Sequence, residues 1–507
     1  MSTQTVDRRV VLGGETRSRG IIGGSRTRIE WLGLIATGAP AFLVLMGGGI
    51  SWGSAAGAIL VLALAFAVWT PVPGAFLRDR SAAAFIGEEI SYRAHRRPFT
   101  PRHLADDKAR HPYVAPVAVG QVRVLSATLP TGEELAILRH TSPGRRHFYS
   151  AAVEMAGPAA GLDKESEFGE AHARWGRFCA ILARPGSMIR TVQEVTRVVP
   201  YDTRDHTAWV MDLLPASPDP DLTASYVELL DMVGKQTEQH RSWLVLRLPV
   251  TPAFTLAARE HGQGEDGAAR LVAAEVGGAL ERAAAQGLRV RPLDERRLSA
   301  VIRSLQDADY PIDQVHDDGG PMSYARAWLP QDCKPRRHVV VQGSKSTWYT
   351  RTAIVPRTGI TPGRLSPDFL HPLLSNVSPS VVRTIATTID LVPAHIARRH
   401  AKDDVTHDRG ASKEALGKVS DGSEDDQLTA SQQRLADLKP STGVHGANWA
   451  MSVTVTARDQ KGLAAAVRQL EDAADEANIT SLYWLDGKHA AGLITSLPLA
   501  RGMEVRK

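Results

Sequence analysis

The sequence predicts an α+β protein in which an N-terminal transmembrane helical hairpin precedes a body built on a mainly antiparallel sheet. Two observations predict this fold. The 47 residues from Trp31 to Leu77 contain no Asp, Glu, Lys or Arg. Through the rest of the 507-residue chain, short strand-like runs alternate with amphipathic helical stretches. Such alternation is typical of helices packed on one face of a sheet.

The uncharged run is long enough for two membrane crossings, because each crossing takes about 20 apolar residues. Its middle, Gly47–Ser54, is rich in glycine and predicts a tight turn. We therefore expect a hairpin over residues 29–77, with spans of about Ile29–Met46 and Gly53–Trp69. A secretory signal peptide is the alternative, with Ala63-Leu64-Ala65 imitating a cleavage site. Two adjacent spans with basic flanks on both sides fit that alternative badly.

Arginine sets the predicted orientation of the hairpin. The tail formed by residues 1–28 contains six arginines, and five more follow the hairpin between Arg78 and Arg97. The turn between the spans has no charge. Because Lys and Arg are retained on the cytoplasmic side during insertion, we expect both termini to be cytoplasmic. The sequence thus predicts a two-span protein of the inner (cytoplasmic) membrane, with the lipid bilayer as a partner.

Composition excludes several classes of protein. Hydrophobic residues make up 43% of the chain and charged residues 23%, which is ordinary for a chain that can bury a core. The net charge is +5, and anionic lipid headgroups can hold the arginines beside the membrane, so no direct nucleic-acid partner is expected. The two cysteines, Cys179 and Cys333, form no C-x-x-C. They predict neither a disulfide framework nor a cysteine zinc site.

The rest of the chain divides into three predicted segments. Residues 78–112 are polar and predict a juxtamembrane linker. A first α+β cytoplasmic region follows at 113–330, and a second at 331–507. Within the second region, residues 401–445 are crowded with Asp, Glu, Lys, Ser and Gly and have few aromatics, so we expect a mobile insert there.

The two regions show a weak two-fold self-similarity. The first contains strand Trp243–Val250 followed by helix Ala268–Gln286, and the second contains strand Trp449–Ala457 followed by helix Gln460–Ala477. Repetition of this kind predicts duplicated ferredoxin-like units. Further strands are predicted at Gln121–Leu125, Glu134–Leu138, His147–Met155, Val192–Val199, Leu288–Leu293, Ser346–Val355 and Ile479–Leu485, and further helices at Glu165–Ala183, Glu295–Leu305, Thr429–Leu438 and Lys488–Leu493.

A search for motifs that carry chemistry finds none. The nearest approach to the phosphate-binding G-x-x-x-x-G-K-[ST] is Gly343-Ser344-Lys345-Ser346, in which a serine separates the glycine from the lysine. Neither H-E-x-x-H nor G-x-S-x-G occurs. His95, His103 and His111 are spaced by eight residues, which favours a solvated face over a metal site. The sequence therefore predicts no catalytic, cofactor-binding or metal-binding residues, no cofactor and no enzyme.

Several stretches together resemble conjugative type IV secretion machinery. The layout from Arg19-Gly20 through Arg97 resembles the short two-span inner-membrane subunit, including the PrgI-like proteins of Gram-positive bacteria. Arg174–Val195, and Ser431–Leu435 leading into the Trp449 strand, are similar to the N-terminal, non-motor domain of the large conjugation ATPase. Gly492–Leu499 resembles the point where that family passes into its motor domain. The plan is also similar to actinobacterial two-span membrane proteins encoded with conjugation-like ATPases.

This resemblance implies a non-enzymatic, membrane-anchored structural component of a secretion complex. It implies a separate P-loop ATPase in trans, since this chain has no Walker motif, together with other inner-membrane secretion subunits in an oligomeric assembly. The two-span plan is also similar to component E of the type VII secretion complex, which is the alternative. A second alternative is a membrane-surface enzyme with a dispersed site. A cleft with converging His, Asp or Glu would favour that enzyme, and an apolar patch the scaffold.

Overall fold

The computed structural model places the chain in two compact units, residues 15–97 and residues 1–14 with 98–507. The residues that it describes are 10–12, 33, 35–39, 52–69, 81–83, 86, 90, 121–141, 146–156, 165–201, 203–214, 219–313, 326–330, 338–343, 345–355, 359–360, 363–365, 368–415, 423–439, 442–486 and 489–501. The predicted basic tail 1–28 lies outside the described residues except for 10–12, and the predicted linker 78–112 does so except for 81–83, 86 and 90.

The smaller unit corrects the prediction of a transmembrane hairpin. Its helix α1, Trp52–Trp69, covers the second predicted span, whereas the first, Ile29–Met46, lies outside the described residues apart from 33 and 35–39. In the part of the chain that the structure describes, no helix is both long enough and apolar enough to span a membrane. The hairpin predicted over 29–77, and with it the two-span location in the inner membrane, is therefore wrong.

Close packing joins α1 to the helical residues 35–39 and Gly33. A Cβ at Gly33 would lie 2.5 Å from Cε2 of Trp69, so only glycine lets the two segments approach this closely. A Cβ at Gly38 would lie 3.5 Å from Leu62. The earlier residue of the first segment, Gly33, contacts the later residue of α1, Trp69, and Gly38 contacts the earlier Leu62. The two segments are therefore antiparallel.

The larger unit is built on a twelve-stranded sheet in which every strand pair is antiparallel. A separate pair joins β1 (Val10–Leu12) to β11 (Gly363–Leu365). The strands of the large sheet are β2 Val122–Thr128, β3 Glu134–His140, β4 Phe148–Ala156, β5 Thr191–Pro200, β6 Glu238–Pro249, β7 Arg289–Pro292, β8 Arg326–Pro330, β9 Val339–Gln342, β10 Thr347–Val355, β12 Val382–Val392, β13 Gly446–Ala457 and β14 Tyr483–Trp484.

Eleven helices accompany this sheet in the described residues. They are α2 Glu165–Leu182, α3 Arg204–Leu213, α4 Pro220–Gln236, α5 Pro252–His261, α6 Gly264–Ala285, α7 Glu295–Ser304, α8 His371–Ser375, α9 Ala394–Ala415, α10 Ser423–Asp437, α11 Gln460–Glu476 and α12 His489–Thr495.

The strand order reveals two equivalent halves. It runs β2-β3-β4-β6-β5-β12-β13-β10-β9-β8, with β7 beside β4 and β14 beside β10. Within the first half, β7-β4-β6-β5 is the order of a split β-α-β unit, and β14-β10-β13-β12 repeats it in the second half. The antiparallel pair β5–β12 joins the halves into one continuous sheet. The protein is thus a mixed α/β structure with a large antiparallel sheet.

Helices cover both faces of the sheet, so the prediction of helices on one face alone is wrong. Along β6, Leu244 and Leu246 pack under α2, α5 and α6. Trp243 and Val245 point the other way, into a core formed with α7 and α12. Because both sets of alternate positions are apolar, both faces must be covered to remove them from water.

A helical hairpin is inserted at the same place in each half. Helices α3 and α4 lie between β5 and β6, and α9 and α10 lie between β12 and β13. The segment predicted as a mobile insert, 401–445, contains most of α9 and all of α10. Helices α9 and α10 bury Ala397, Ala401 and Leu438 together, and Arg398 Nε donates to the Leu438 carbonyl at 2.8 Å.

Candidate functional site

The α3–α4 hairpin forms a surface of exposed apolar side chains. None of its described side chains is buried. Large contiguous apolar patches on a protein surface mark interaction sites, which makes this hairpin a candidate for one. The exposed large apolar side chains of the hairpin have exposed fractions from 36% to 72% and are Trp209, Met211, Leu213, Leu222, Val227, Leu229, Met232 and Val233.

Local sequence explains why the hairpin is helical without packing on the body. Asp219 caps α4, because its Oδ1 accepts from the backbone N–H of Asp221 at 2.9 Å and of Leu222 at 3.3 Å. Pro220 occupies the first turn, where its missing N–H costs nothing. Between the two helices, His206 Nε2 and the Tyr226 hydroxyl form a hydrogen bond of 2.5 Å. The hairpin is therefore held by caps and polar contacts, which leaves its apolar side chains available.

One stripe of α4 has the spacing of a docking face. Leu222, Tyr226, Leu229 and Val233 recur at i, i+4, i+7 and i+11, which places them on one side of the helix. In a helix that packs on its own domain this stripe would face the core, and here it does not. The surface also carries a charge, since residues 204–236 contain six acidic and two basic residues.

The equivalent hairpin in the second half has a different surface. Among the described side chains of α9 and α10, Ile396 is the single exposed large apolar residue. Arg434 of α10 forms a salt bridge with the buried carboxylate of Asp404 in α9. Apolar exposure is thus a property of one arm of the duplicated body.

A cleft of about 780 Å³ is the second candidate. It lies where β5 and β13 end and where β6 and β12 begin, next to the segment that follows α7. Its lining includes Arg197, Trp243, Asp307, Trp348 and Arg458. A concave site of this volume is within the range of small-molecule sites.

Two carboxylates of the cleft are paired with arginine. Asp313 accepts from Arg241 Nη1 at 2.9 Å and from Arg297 Nη2 at 3.3 Å. The hydrogen bond from Arg241 is the largest of the effects that lower the pKa of Asp313. Asp309 Oδ1 accepts from Arg458 Nη2 at 2.9 Å. Because its pKa is lowered, Asp313 is a poor general acid at neutral pH.

Asp307, which is fully buried, also has partners. Its Oδ1 accepts from the indole Nε1 of Trp348 at 3.1 Å, and its Oδ2 lies 3.9 Å from Arg303 Nε. The backbone N–H of Asp309 donates to the same Oδ1 at 3.2 Å. The three aspartates therefore belong to one network of charged and hydrogen-bonded groups in the cleft.

Two buried donors of the cleft have no acceptor among the described residues. Arg197 is 2% exposed; its Nη1 donates to Thr384 Oγ1 at 2.8 Å and its Nη2 to the Ser304 carbonyl at 3.5 Å, whereas its Nε has no described partner. The indole Nε1 of Trp243, fully buried, also has none there. Burial lowers the pKa of Arg197 to about 10, although the charge of Asp307 acts in the opposite direction.

The residues singled out by motif searching have structural explanations or lie elsewhere. Gly343 and Ser346 close the turn between β9 and β10, where the Gly343 N–H donates to the Ser346 carbonyl at 2.8 Å. The thiol of Cys179 is free. Cys333, His95, His103 and His111 lie outside the described residues. No three His, Cys, Asp or Glu side chains within the described ranges could hold a metal ion.

Part of this chain is similar to a known protein family. No curated protein matches the chain. Residues 236–328 match the model of the EccE family, described as the type VII ESX secretion system translocon component EccE. The matched stretch runs from the last residue of α4 through β6, α5, α6, β7 and α7 and includes Trp243, Asp307 and Asp313 of the cleft. This part of the chain is thus similar to a type VII secretion component, and the similarity favours the type VII alternative over the conjugation machinery.

Proposed function

We propose that this protein is a non-enzymatic structural component of a type VII secretion complex and that it binds another subunit through the α3–α4 hairpin. The exposed apolar surface of that hairpin is the observation that carries the proposal. The match of residues 236–328 to the EccE family supports the secretion context. It begins where α4 ends and so adjoins the proposed docking surface.

The surface specifies the chemistry of its partner. Eight large apolar side chains are exposed on the hairpin, and because each is already partly buried, completing its burial would contribute less than about 1.5–3 kcal/mol before the costs of association. Exposed acidic residues surround them, among them Asp212, Asp221 and Glu228. A partner that presents apolar side chains surrounded by Lys or Arg would complement both the apolar side chains and the negative charge of this surface.

The source of energy for secretion lies outside this chain in our proposal. A P-loop ATPase in trans would supply it, because the sequence contains no G-x-x-x-x-G-K-[ST]. This ATPase and other secretion subunits are the candidates for the partner of the hairpin. The pairing of Asp309 and Asp313 with arginine supports the scaffold over the membrane-surface enzyme.

Site-specific photocrosslinking from the hairpin tests the proposal. A photoreactive amino acid at position 229 of the full-length protein, expressed in its native cells, should crosslink to a secretion subunit that mass spectrometry identifies. The same amino acid at position 432, on the exposed face of α10, is the matched control and should yield no such adduct. The double substitution Leu222→Glu/Leu229→Glu should reduce secretion, and Thr429→Glu/Gln432→Glu should not.

The opposite results would contradict the proposal. Crosslinks from position 229 only to proteins unrelated to secretion would exclude the docking role. Wild-type secretion by the folded Leu222→Glu/Leu229→Glu variant would do the same. Circular dichroism of the purified variants establishes that they are folded.

A further inference from the structure

We propose that the groove between α3 and α4 binds a single amphipathic helix of the partner, and that this helix has Lys or Arg along both edges of its apolar stripe. This inference rests on the proposed docking role of the hairpin and deepens it, because it specifies the element that the partner presents. Packed along the hairpin, such a helix completes a bundle of three helices.

Three rings in contact form the floor of the groove. The Tyr226 hydroxyl of α4 and Nε2 of His206 in α3 form a hydrogen bond of 2.5 Å. The centroid of the His206 ring lies 6.2 Å from that of Tyr226 and 5.8 Å from that of Trp209. His206 is exposed, and Trp209 is 60% exposed. The line of contact between the two helices is thus an aromatic surface that a partner can reach.

Leucine side chains lie on each side of this floor. On α4, Leu222 is four residues before Tyr226 and Leu229 is three residues after it, so both lie on the face that carries its ring. On α3, Leu213 is four residues after Trp209 and shares its face. The three leucines are between 50% and 72% exposed. Rows spaced by three and four residues are those against which the apolar stripe of another helix packs.

Carboxylates lie along both outer edges of the groove. On α4, Asp221 and Glu228 each come one residue before a leucine of the row, which is a rotation of about 100° around the helix, away from the floor. On α3, Asp212 comes three residues after Trp209, a rotation of about 60° away from the floor. All three carboxylates, which we call the rim carboxylates, are exposed. A helix in the groove therefore meets negative charge along both of its sides.

The rim carboxylates discriminate between occupants of the groove. Lys and Arg at the edges of an apolar stripe pair with carboxylates, as charged residues do beside the apolar seam of a coiled coil. A second copy of the hairpin would bring rim carboxylates against each other, and like charges disfavour such a contact. The negative potential of an anionic lipid surface disfavours it in the same way. A basic amphipathic helix is therefore the complementary occupant.

Binding of two synthetic peptides to the purified full-length protein tests this inference. Both peptides carry the same leucines at heptad spacing over about three heptads, and the flanking residues are lysine in one peptide and glutamate in the other. Fluorescence anisotropy of a dye on each peptide gives its dissociation constant. We expect the lysine peptide to bind about tenfold more tightly, and this preference should decrease as salt is added. A photoreactive amino acid at position 229 should crosslink to the bound peptide, and one at position 432 should not.

Reversal of the rim charges is the deciding substitution. Asp212→Lys/Asp221→Lys/Glu228→Lys should invert the preference, so that the glutamate peptide binds more tightly than the lysine peptide. If circular dichroism shows that this variant does not fold, Glu228→Lys alone replaces it and should reduce the preference about threefold. A control with the same change in net charge at exposed positions of α9, α10 and α11 should keep the wild-type preference. Its substitutions are Asp403→Lys, Asp426→Lys and Asp472→Lys.

Equal affinity of the wild type for the two peptides, or equal effects of the rim and control substitutions, overturns the inference. Binding of anionic vesicles that Leu222→Glu/Leu229→Glu abolishes would also overturn it and assign the surface to lipid. These outcomes are separate from those of the docking role. A secretion subunit crosslinked in cells from position 229, without a preference for the lysine peptide, would reject the basic helix and leave the docking role in place. Preference for the lysine peptide without such a crosslink would reject the docking role and retain the groove's specificity for a basic helix.

Discussion

Arg383 donates a hydrogen bond from Nη2 to Oε2 of Glu238 across 2.9 Å, and this contact ties the second half of the sheet to the first. Arg383 lies on β12 and Glu238 on β6, with β5 between them. The guanidinium is fully buried, and its Nε and Nη1 also donate to the carbonyls of Leu373 and Val381 at 3.0 and 3.1 Å. The ion pair thus fixes the start of β12 against two neighbouring elements.

We expect Arg383→Met to lower the free energy of unfolding by about 3–5 kcal/mol, because it removes the guanidinium from the mostly buried carboxylate of Glu238 and from several carbonyls. Urea denaturation followed by circular dichroism measures the change. Arg123→Met is the matched control, since the Arg123 side chain is 69% exposed beside Glu265, and its loss should cost less than about 1 kcal/mol. Equal losses in the two variants would show that the buried pair does not join the halves.

Truncation of two leucines should separate the core from the docking surface. Leu470 of α11 is fully buried, so Leu470→Ala should cost about 2–5 kcal/mol of stability. Leu222 of α4 is 72% exposed, so Leu222→Ala should change stability by less than about 0.5 kcal/mol. Thermal and urea unfolding measure both. A large loss for Leu222→Ala would mean that the hairpin's apolar residues serve folding.

Acid should destabilise the protein through His140. Its Nδ1 accepts from Arg501 Nη2 at 3.2 Å, so the ring proton lies on Nε2, which bonds Ser150 Oγ at 2.9 Å. Burial, then the charges of Arg501 and Arg247, hold the pKa of His140 well below its usual value. Below about pH 6.5 the unfolded chain binds a proton that the native ring does not, so stability is full above that pH and falls below it.

The measurement is urea unfolding at pH 7.5 and pH 5.5. The wild type should lose about 1.4 kcal/mol from this group over one pH unit below 6.5. His140→Gln, which keeps a donor and an acceptor, should lose less. His338 and His445 also have lowered pKa values. Because the wild type and His140→Gln both contain these two histidines, the difference between the two proteins isolates the effect of His140. Parallel pH profiles of the two proteins would exclude His140 as the source.

Cys179 should be unreactive in the native protein. Burial, followed by the charge of Glu194, raises the pKa of its thiol to about 12. At pH 8 only about one molecule in ten thousand then carries the thiolate that reacts. In a Cys333→Ser background, a colourimetric disulfide reagent should label Cys179 slowly until urea unfolds the chain. Labelling at the rate of a free thiol without urea would contradict this assignment.

Hydrophobic periodicity was sufficient to predict the helices and strands whose pattern lies within one continuous stretch of sequence. The helices predicted at Glu165–Ala183 and Gln460–Ala477 appear as α2 and α11 with ends shifted by one residue. The strand predicted at Trp243–Val250 lies within β6 apart from its last residue, although β6 begins five residues earlier. Repeated strand and helix patterns indicated the two-fold character that the strand order shows. The absence of charge between Trp31 and Leu77 gave a wrong prediction, because the described residues contain no helix that could span a membrane.

Neither candidate site could be predicted in this way. Arg197, Asp307 and Arg458 line one cleft only after the sheet has brought distant strands together. These residues are far apart in the sequence and match no motif that would indicate a site. The α3–α4 surface was missed for another reason. Leu222, Leu229 and their neighbours have the pattern of an ordinary core-facing helix, and only the exposed position of the hairpin shows that they cover nothing.

The unlike arms of the duplicated body limit how copies of it can assemble. A molecule with an apolar surface on both arms could bind one neighbour through each arm. Such head-to-tail contacts build an open filament when the rotation between neighbours does not close a ring. Among the described residues of α9 and α10, Ile396 is the single exposed large apolar side chain, so the two equivalent arms of the duplicated body present different surfaces. A contact made through the α3–α4 arm therefore has no apolar counterpart at α9 and α10, and copies of the body cannot extend a fibre by using both arms in the same way.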